Sequence, residues 1–192
     1  MADRLPRTVL CLGNPGPEYT ATRHNVGWWL ADRLAEAYGL GRFRQQGQAG
    51  IARGRLGEMP FQVVKPYTYM NLSGRVLDGL SRKEGFDLVR DLLVVVDEVA
   101  LEPGRLRFRP GGSAGGHNGL KSIEAALGTQ DYSRLRIGVG APPPGWVRSD
   151  WVLSVPPKAE RELIMGIMDG LVECVELWAI EGIEAAMNRC NN

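Results

Sequence analysis

Leu92-Leu93-Val94-Val95-Val96-Asp97-Glu98 decides the fold. Its first five residues are the most apolar run in the chain, and such a run predicts a strand covered on both faces. Two carboxylates close it. The carboxyl ends of central strands are where open α/β sheets place their sites, so Asp97 and Glu98 are either site residues or a plainly solvated strand end. Upstream, Thr8-Val9-Leu10-Cys11-Leu12 predicts a second buried strand, stopped by the turn Gly13-Asn14-Pro15-Gly16-Pro17. A dinucleotide loop would need G-x-G-x-x-G opening into a helix. Pro15 and Pro17 remove backbone N–H groups that phosphates require, so that reading is rejected.

Working outward, Val26, Trp29, Leu30, Leu34 and Tyr38 recur at helical spacing before Gly39, so a helix starts near His24-Asn25. Residues 48–56 and 61–65 flank Gly57-Glu58-Met59-Pro60 as a hairpin. Pro66 ends its second strand, leaving 67–71 as a loop before a helix that carries Val76, Leu77 and Leu80. Beyond the central strand, Arg105, Arg107 and Arg109 alternate with Leu106 and Phe108. In a strand, that period puts three guanidinium groups on one face. The row is either an exposed edge that deters aggregation or a strip of charge for a phosphate backbone.

The stretch Gly111-Gly112-Ser113-Ala114-Gly115-Gly116-His117-Asn118-Gly119 holds five glycines in nine residues, a density that serves sharp turns or close backbone approach. A helix follows from about Asn118 to Leu127, stopped by Gly128; residues 134–140 form another strand, with Arg134 and Arg136 on a common face. Pro142-Pro143-Pro144-Gly145 is a rigid loop. The last thirty residues read as one long amphipathic helix with Leu163, Ile167, Leu171, Val175 and Trp178 along its apolar face. The sum is an α/β fold: a single compact domain over 1–192, a twisted mixed β-sheet flanked by helices, and a long C-terminal helix.

At 192 residues, with 44% hydrophobic and 23% charged, the chain is an ordinary soluble globular sequence able to bury one core. No apolar run reaches the roughly 18 residues of a membrane span, and no apolar leader precedes the first strand. The three cysteines, Cys11, Cys174 and Cys190, are unclustered. They read as free buried thiols in a reducing, cytoplasmic setting, not as a disulfide or zinc framework. With a formal charge of only +1, a nucleic-acid partner would have to be held by a local basic patch.

Both histidines precede an asparagine: Arg23-His24-Asn25-Val26-Gly27 and Gly116-His117-Asn118-Gly119. With Thr68-Tyr69-Met70-Asn71-Leu72-Ser73-Gly74, they suggest three loops converging on one pocket. Gly111 to Gly115 matches the nucleophile elbow G-x-S-x-G, but no acid lies between Ser113 and the one downstream histidine, and no strand immediately precedes it. Cys11 sits mid-strand, where a thiol is normally inert. Two histidines without metal-ligand spacing make a poor ligand set. Water activated by a histidine, itself oriented by a carboxylate, remains. Asparagine amides can donate to a developing oxyanion, and such a site suits an activated ester. Beside a row of arginines, this indicates an esterase for a polyanionic substrate.

Leu12-Gly13-Asn14-Pro15-Gly16-x-x-Tyr19-x-x-Thr22-Arg23-His24-Asn25-x-Gly27 resembles the opening signature of bacterial peptidyl-tRNA hydrolases. The segments 68–74, 97–98 and 111–121 resemble that family's other motifs, in the same order. The resemblance implies a monomeric α/β enzyme without cofactor or metal, acting on the ester between a peptide and the terminal ribose of tRNA, with no membrane or DNA partner. Position by position, His24 resembles the base, Asp97 the carboxylate orienting it, and Asn14 the residue sensing the blocked amino group. Tyr19, Tyr69, Asn71 and Asn118 fall at tRNA- or substrate-contacting positions, while Met70 and His117 line the cleft. Arg109 and Arg136 resemble a pair that clamps the 5′-phosphate. An RNA-binding module on the same scaffold, without hydrolysis, is the other functional class; the joint presence of His24, Asp97 and the three asparagines argues against it.

Overall fold

A computed structural model describes residues 5–78 and 83–192. Strand β1 (Arg7–Cys11) leads through 3-10 turns at Pro17–Tyr19 and Arg23–Asn25 into helix α1 (Val26–Ala37). Strands β2 (Arg44–Gln46), β3 (Ala49–Leu56) and β4 (Met59–Pro66) follow, then a 3-10 segment over Met70–Leu77. The short helix α2 (Leu88–Asp91) feeds β5 (Leu92–Glu98), and β6 (Leu106–Arg109), α3 (Asn118–Leu127) and β7 (Ser133–Gly138) come next. Helices α4 (Arg148–Val152), α5 (Lys158–Gly166), α6 (Met168–Glu181) and α7 (Ile183–Cys190) complete the order. The expected helical position of Leu80 lies outside the described residues.

The strands form one sheet in the order β2-β3-β4-β1-β5-β7-β6. Strands β4, β1, β5 and β7 are parallel neighbours, while β2, β3 and β6 join antiparallel, so the sheet is mixed. Period two divides the apolar residues of β1 and β5 between two cores. Val9, Cys11, Leu93, Val95, Leu135 and Ile137 pack with α1, α6 and α7. Leu10, Leu12, Val94 and Val96 pack with the Met70–Leu77 segment and α3. Each fully buried side chain of this kind contributes about 1.5–3 kcal/mol, so burial of both faces holds β5 in place as its apolar run requires. The outer edge of β6 is covered by the chain's own end: the backbone N–H groups of Leu106 and Phe108 donate to the side chains of Asn192 and Asn191 at 3.0 and 2.6 Å.

Helix α1 starts hard against the ends of β1 and β5. A Cβ on Gly27 would lie 2.5 Å from the Leu12 carbonyl oxygen and 3.1 Å from that of Val95. Only glycine admits that approach, and it brings His24 and Asn25 to the carboxyl ends of the two central strands.

The expected long C-terminal helix is present as α6, the longest helix among the described residues, but three details of this region are corrected. The helical run is divided at Ile167 and at Gly182, whose φ of 94° ends α6. Leu163 is 57% exposed and does not line the apolar face; Ile164 is fully buried in its place. Ile164 stands seven residues before Leu171, only about 20° off its direction, whereas Leu163 is about 80° off. The turn at Gly182 folds α7 back along α6, and Cys174 is disulfide-bonded to Cys190 with their Cα atoms 6.1 Å apart. In one straight helix these residues would be about 24 Å apart, too far to bond, so the expectation of free thiols from their unclustered spacing fails at the turn. Cys11 alone is a free cysteine, and burial pushes its thiol pKa up, consistent with an inert core position. Among the described residues no helix is long and apolar enough to cross a membrane.

Candidate active site

His24, Asp97 and His117 meet at the carboxyl end of β5, all three buried. Asp97 has the parity of Leu93 and Val95, which directs it toward the α1 side of the sheet. Its Oδ1 lies 2.7 Å from His24 Nδ1 and 2.9 Å from His117 Nε2. Burial alone would raise the Asp97 pKa, but the two imidazoles outweigh it and hold the carboxyl well below the usual carboxylate range. An ionised carboxylate only accepts, so both ring nitrogens donate to it. His117 Nδ1 then accepts from the backbone N–H groups of Gly119 and Leu120, at 3.1 and 3.3 Å, which caps α3 and fixes its tautomer. His24 Nδ1–H is likewise committed. In the neutral ring, that leaves the lone pair on Nε2 as a base.

The same three groups bring their donor atoms within 4.8 Å of one another, close enough to suggest a cation site. The capping bonds argue otherwise. A metal on His117 Nε2 would put the remaining proton on Nδ1, facing two backbone N–H donors.

Asn14 is set by a second ring of hydrogen bonds. Its backbone N–H donates to Asn25 Oδ1 and its carbonyl accepts from Asn25 Nδ2, both at 2.9 Å. Asn14 Oδ1 accepts from the Met70 backbone N–H at 2.7 Å, which fixes the amide's orientation. The Nδ2 group bonds to nothing among the described residues and is left as a donor. Met70 is buried beneath this arrangement. A Cβ on Gly119 would meet Met70 Sδ at 2.5 Å, Leu12 Cδ1 at 2.7 Å and His117 Cε1 at 2.9 Å. The glycine in His-Asn-Gly thus lets three loops close on one another.

Around this centre, Tyr19 and Tyr69 stand edge to face with ring centroids 6.4 Å apart, Tyr69 being 56% exposed. Asn71 and Asn118 are exposed in the first turns of the Met70–Leu77 segment and α3. His24, Asp97 and His117 line a cavity of about 120 Å³ with Gly116, Asn118, Arg148, Ser149 and Val152. Ser113 is not among its lining residues.

The arginines divide into held and free. Arg134 is fully buried, its guanidinium 4.2 Å from the Tyr132 ring centroid, and it donates to the Ser113 carbonyl at 3.0 Å. Arg136 donates to the same carbonyl at 3.1 Å and to Glu98 Oε2 at 2.7 Å. Both residues therefore fasten the glycine loop, and the common face expected for them points at protein. Arg109 is exposed and makes no ion pair among the described residues. It lines a groove of about 240 Å³ with Arg107, Arg136, Glu98 and Gly111.

A family model described as peptidyl-tRNA hydrolase matches residues 8–192. The chain belongs to the peptidyl-tRNA hydrolase family. It is 46% identical to a peptidyl-tRNA hydrolase of Gemmatimonas aurantiaca over 95% of this chain and 97% of that one. It is also 46% identical to one of Symbiobacterium thermophilum over 97% and 100%. A crystal structure of the Acinetobacter baumannii peptidyl-tRNA hydrolase superposes with a TM-score of 0.88 at 33% identity, covering 100% of this chain and 96% of that one.

Within this family architecture, Glu98, one of the two carboxylates expected at the strand end, holds Arg136. Three residues left without a role by the sequence alone also sit at the site. Asn25 carries Asn14. Arg23, 1% exposed, places its guanidinium 3.5 Å from the Trp151 ring centroid and donates to Ser154 Oγ and Glu160 Oε2, both at 2.6 Å. Arg148 closes the wall of the cavity. Of these only Asn25 left a trace, as half of the repeated His-Asn pair; a buried arginine has no periodic signature.

Proposed function

We propose that this chain hydrolyses the ester of peptidyl-tRNA, releasing tRNA and peptide, through a water molecule deprotonated by His24 Nε2. The observation that carries this reading is the commitment of His24 Nδ1 to an ionised Asp97. It aims the free lone pair away from the carboxylate and stabilises the imidazolium that forms when water gives up its proton. The proton then passes to the ribose oxygen as the ester breaks, leaving a carboxylic acid on the peptide and a hydroxyl on the tRNA. The Asn14 Nδ2 donor and the exposed amides of Asn71 and Asn118 suit the carbonyls of a peptide and the oxyanion of the tetrahedral intermediate. Tyr19 and Tyr69 offer faces and edges to the substrate's unpaired end. Arg109, with Arg107 and Arg136 around the groove, suits the 5′-phosphate of the acceptor stem.

The test is a quenched-flow reaction on an N-blocked aminoacyl-tRNA. The water mechanism expects no acyl label on denatured protein at any time, and Ser113→Ala to stay within about tenfold of wild type. An acyl-protein adduct that disappears in Ser113→Ala would replace this reading with a serine esterase.

A further inference from the structure

Arg148 is the one permanent cation lining the cavity of His24, Asp97 and His117 among the described residues. It is half-buried on the first residue of α4, and its Nη1 donates to the Gly115 carbonyl at 2.6 Å. Its remaining N–H groups bond to nothing among the described residues. The segment that carries it is anchored independently. Trp151 Nε1 donates to the Gly140 carbonyl at 2.7 Å, and the Ser154 carbonyl accepts from the backbone N–H of Arg23 at 3.1 Å. Arg148 is therefore not needed to hold α4 down, and its guanidinium is presented to the cavity from a fixed backbone.

This placement has a chemical consequence. An ester carbonyl within reach of His24 Nε2 puts the terminal ribose beside it. The phosphate on that ribose's own 5′ carbon is only a short covalent path from the scissile oxygen. A fixed guanidinium with open donors is suited to one anionic group in that neighbourhood, and phosphate matches its fork. We propose that Arg148 binds the phosphate immediately 5′ of the esterified nucleoside. It would thereby seat the single-stranded end of the substrate against the base, a task separate from any contact Arg109 makes with the acceptor stem. The proposal rests on His24 being the base, since it takes the position of the ester from that ring.

Two small substrates separate the possibilities: an N-acetylaminoacyl ester of adenosine, and the same ester of adenosine 5′-monophosphate. Arg148→Ala is expected to lower kcat/KM about 10- to 100-fold for the phosphorylated ester, the scale of one charge-assisted hydrogen bond. The unphosphorylated ester should change by no more than about twofold, and Arg148→Lys should recover part of the loss. Inhibition of tRNA-ester hydrolysis by adenosine 5′-monophosphate against adenosine reads the same difference where small esters turn over slowly. An equal loss on both substrates would make Arg148 a fastener between α4 and the glycine loop, and no loss on either would also overturn the proposal. His24→Ala serves as the control. If it cleaved both esters normally, the base assignment would fail, independently of the phosphate comparison.

Discussion

Asp97 and Glu98 are consecutive in sequence and serve different halves of the site. Asp97 accepts from His24 at 2.7 Å, while Glu98 accepts from Arg136, also at 2.7 Å. The alternation of a strand separates them: Asp97 turns toward His24 and, at the strand end, His117, while Glu98 turns to the opposite face, where Arg136 holds the Ser113 carbonyl. Asp97→Asn is expected to lower kcat by at least about 100-fold with KM little changed, because orientation of the base and stabilisation of its cation are lost together. Glu98→Gln is expected to act mainly on KM, by loosening Arg136 and the Ser113 carbonyl it holds. Steady-state kinetics on one N-blocked aminoacyl-tRNA distinguish the two.

Gly119→Ala separates packing from helix propensity. Alanine in an exposed helix gains up to about 1 kcal/mol over glycine. Here the added methyl meets Met70, Leu12 and His117 at 2.5–2.9 Å. Overpacking of this kind costs about 1–3 kcal/mol, so urea unfolding is expected to show net destabilisation, with turnover falling as His117 shifts. A variant more stable than wild type would contradict the close approach.

The division of the arginines makes a salt-dependence prediction. Arg109→Ala removes a free cation, so the slope of log K for tRNA binding against log salt is expected to become shallower by about 1. Arg134→Lys leaves the slope unchanged, since Arg134 is buried against Ser113 and Tyr132, and lowers stability instead. Filter binding across a salt series measures both.

Much of this arrangement is legible in the sequence. The five-residue apolar run of β5 admits no exposed placement, and α3 is bracketed by a glycine loop and Gly128, so both were read with their ends nearly right. His24, Asp97 and Asn14 could be expected in one place because their motifs occur together in order, and His24 and Asp97 do meet. What escaped was pairing across the fold. Nothing in the sequence says that Arg136 is held by Glu98, that His117 shares an oxygen with His24, or that Arg23 lies buried on Trp151. The break at Gly182 was hidden because apolar spacing persists through it, and the disulfide was hidden with it. β2 is three exposed polar residues that pair only because β3 lies beside them.

The disulfide offers a test of that corrected geometry. Cys174 and Cys190 are 16 residues apart, and closing a loop of that size removes about 3 kcal/mol of unfolded-state entropy. Cys174→Ser is expected to lower unfolding stability by about 2–3 kcal/mol. Hydrolysis should stay within about twofold, since neither α6 nor α7 lines the cavity of His24. Equal stability of oxidised and reduced protein would contradict it.

The most direct measurement is single-turnover hydrolysis of a saturating complex of N-blocked aminoacyl-tRNA with His24→Ala, alongside its binding affinity. A base contributes about 10²–10⁴-fold, so the chemical step is expected to slow by that factor while the dissociation constant stays within about threefold of wild type. A rate within a few-fold of wild type at saturation would place the proton transfer on some other group and contradict the role assigned to His24.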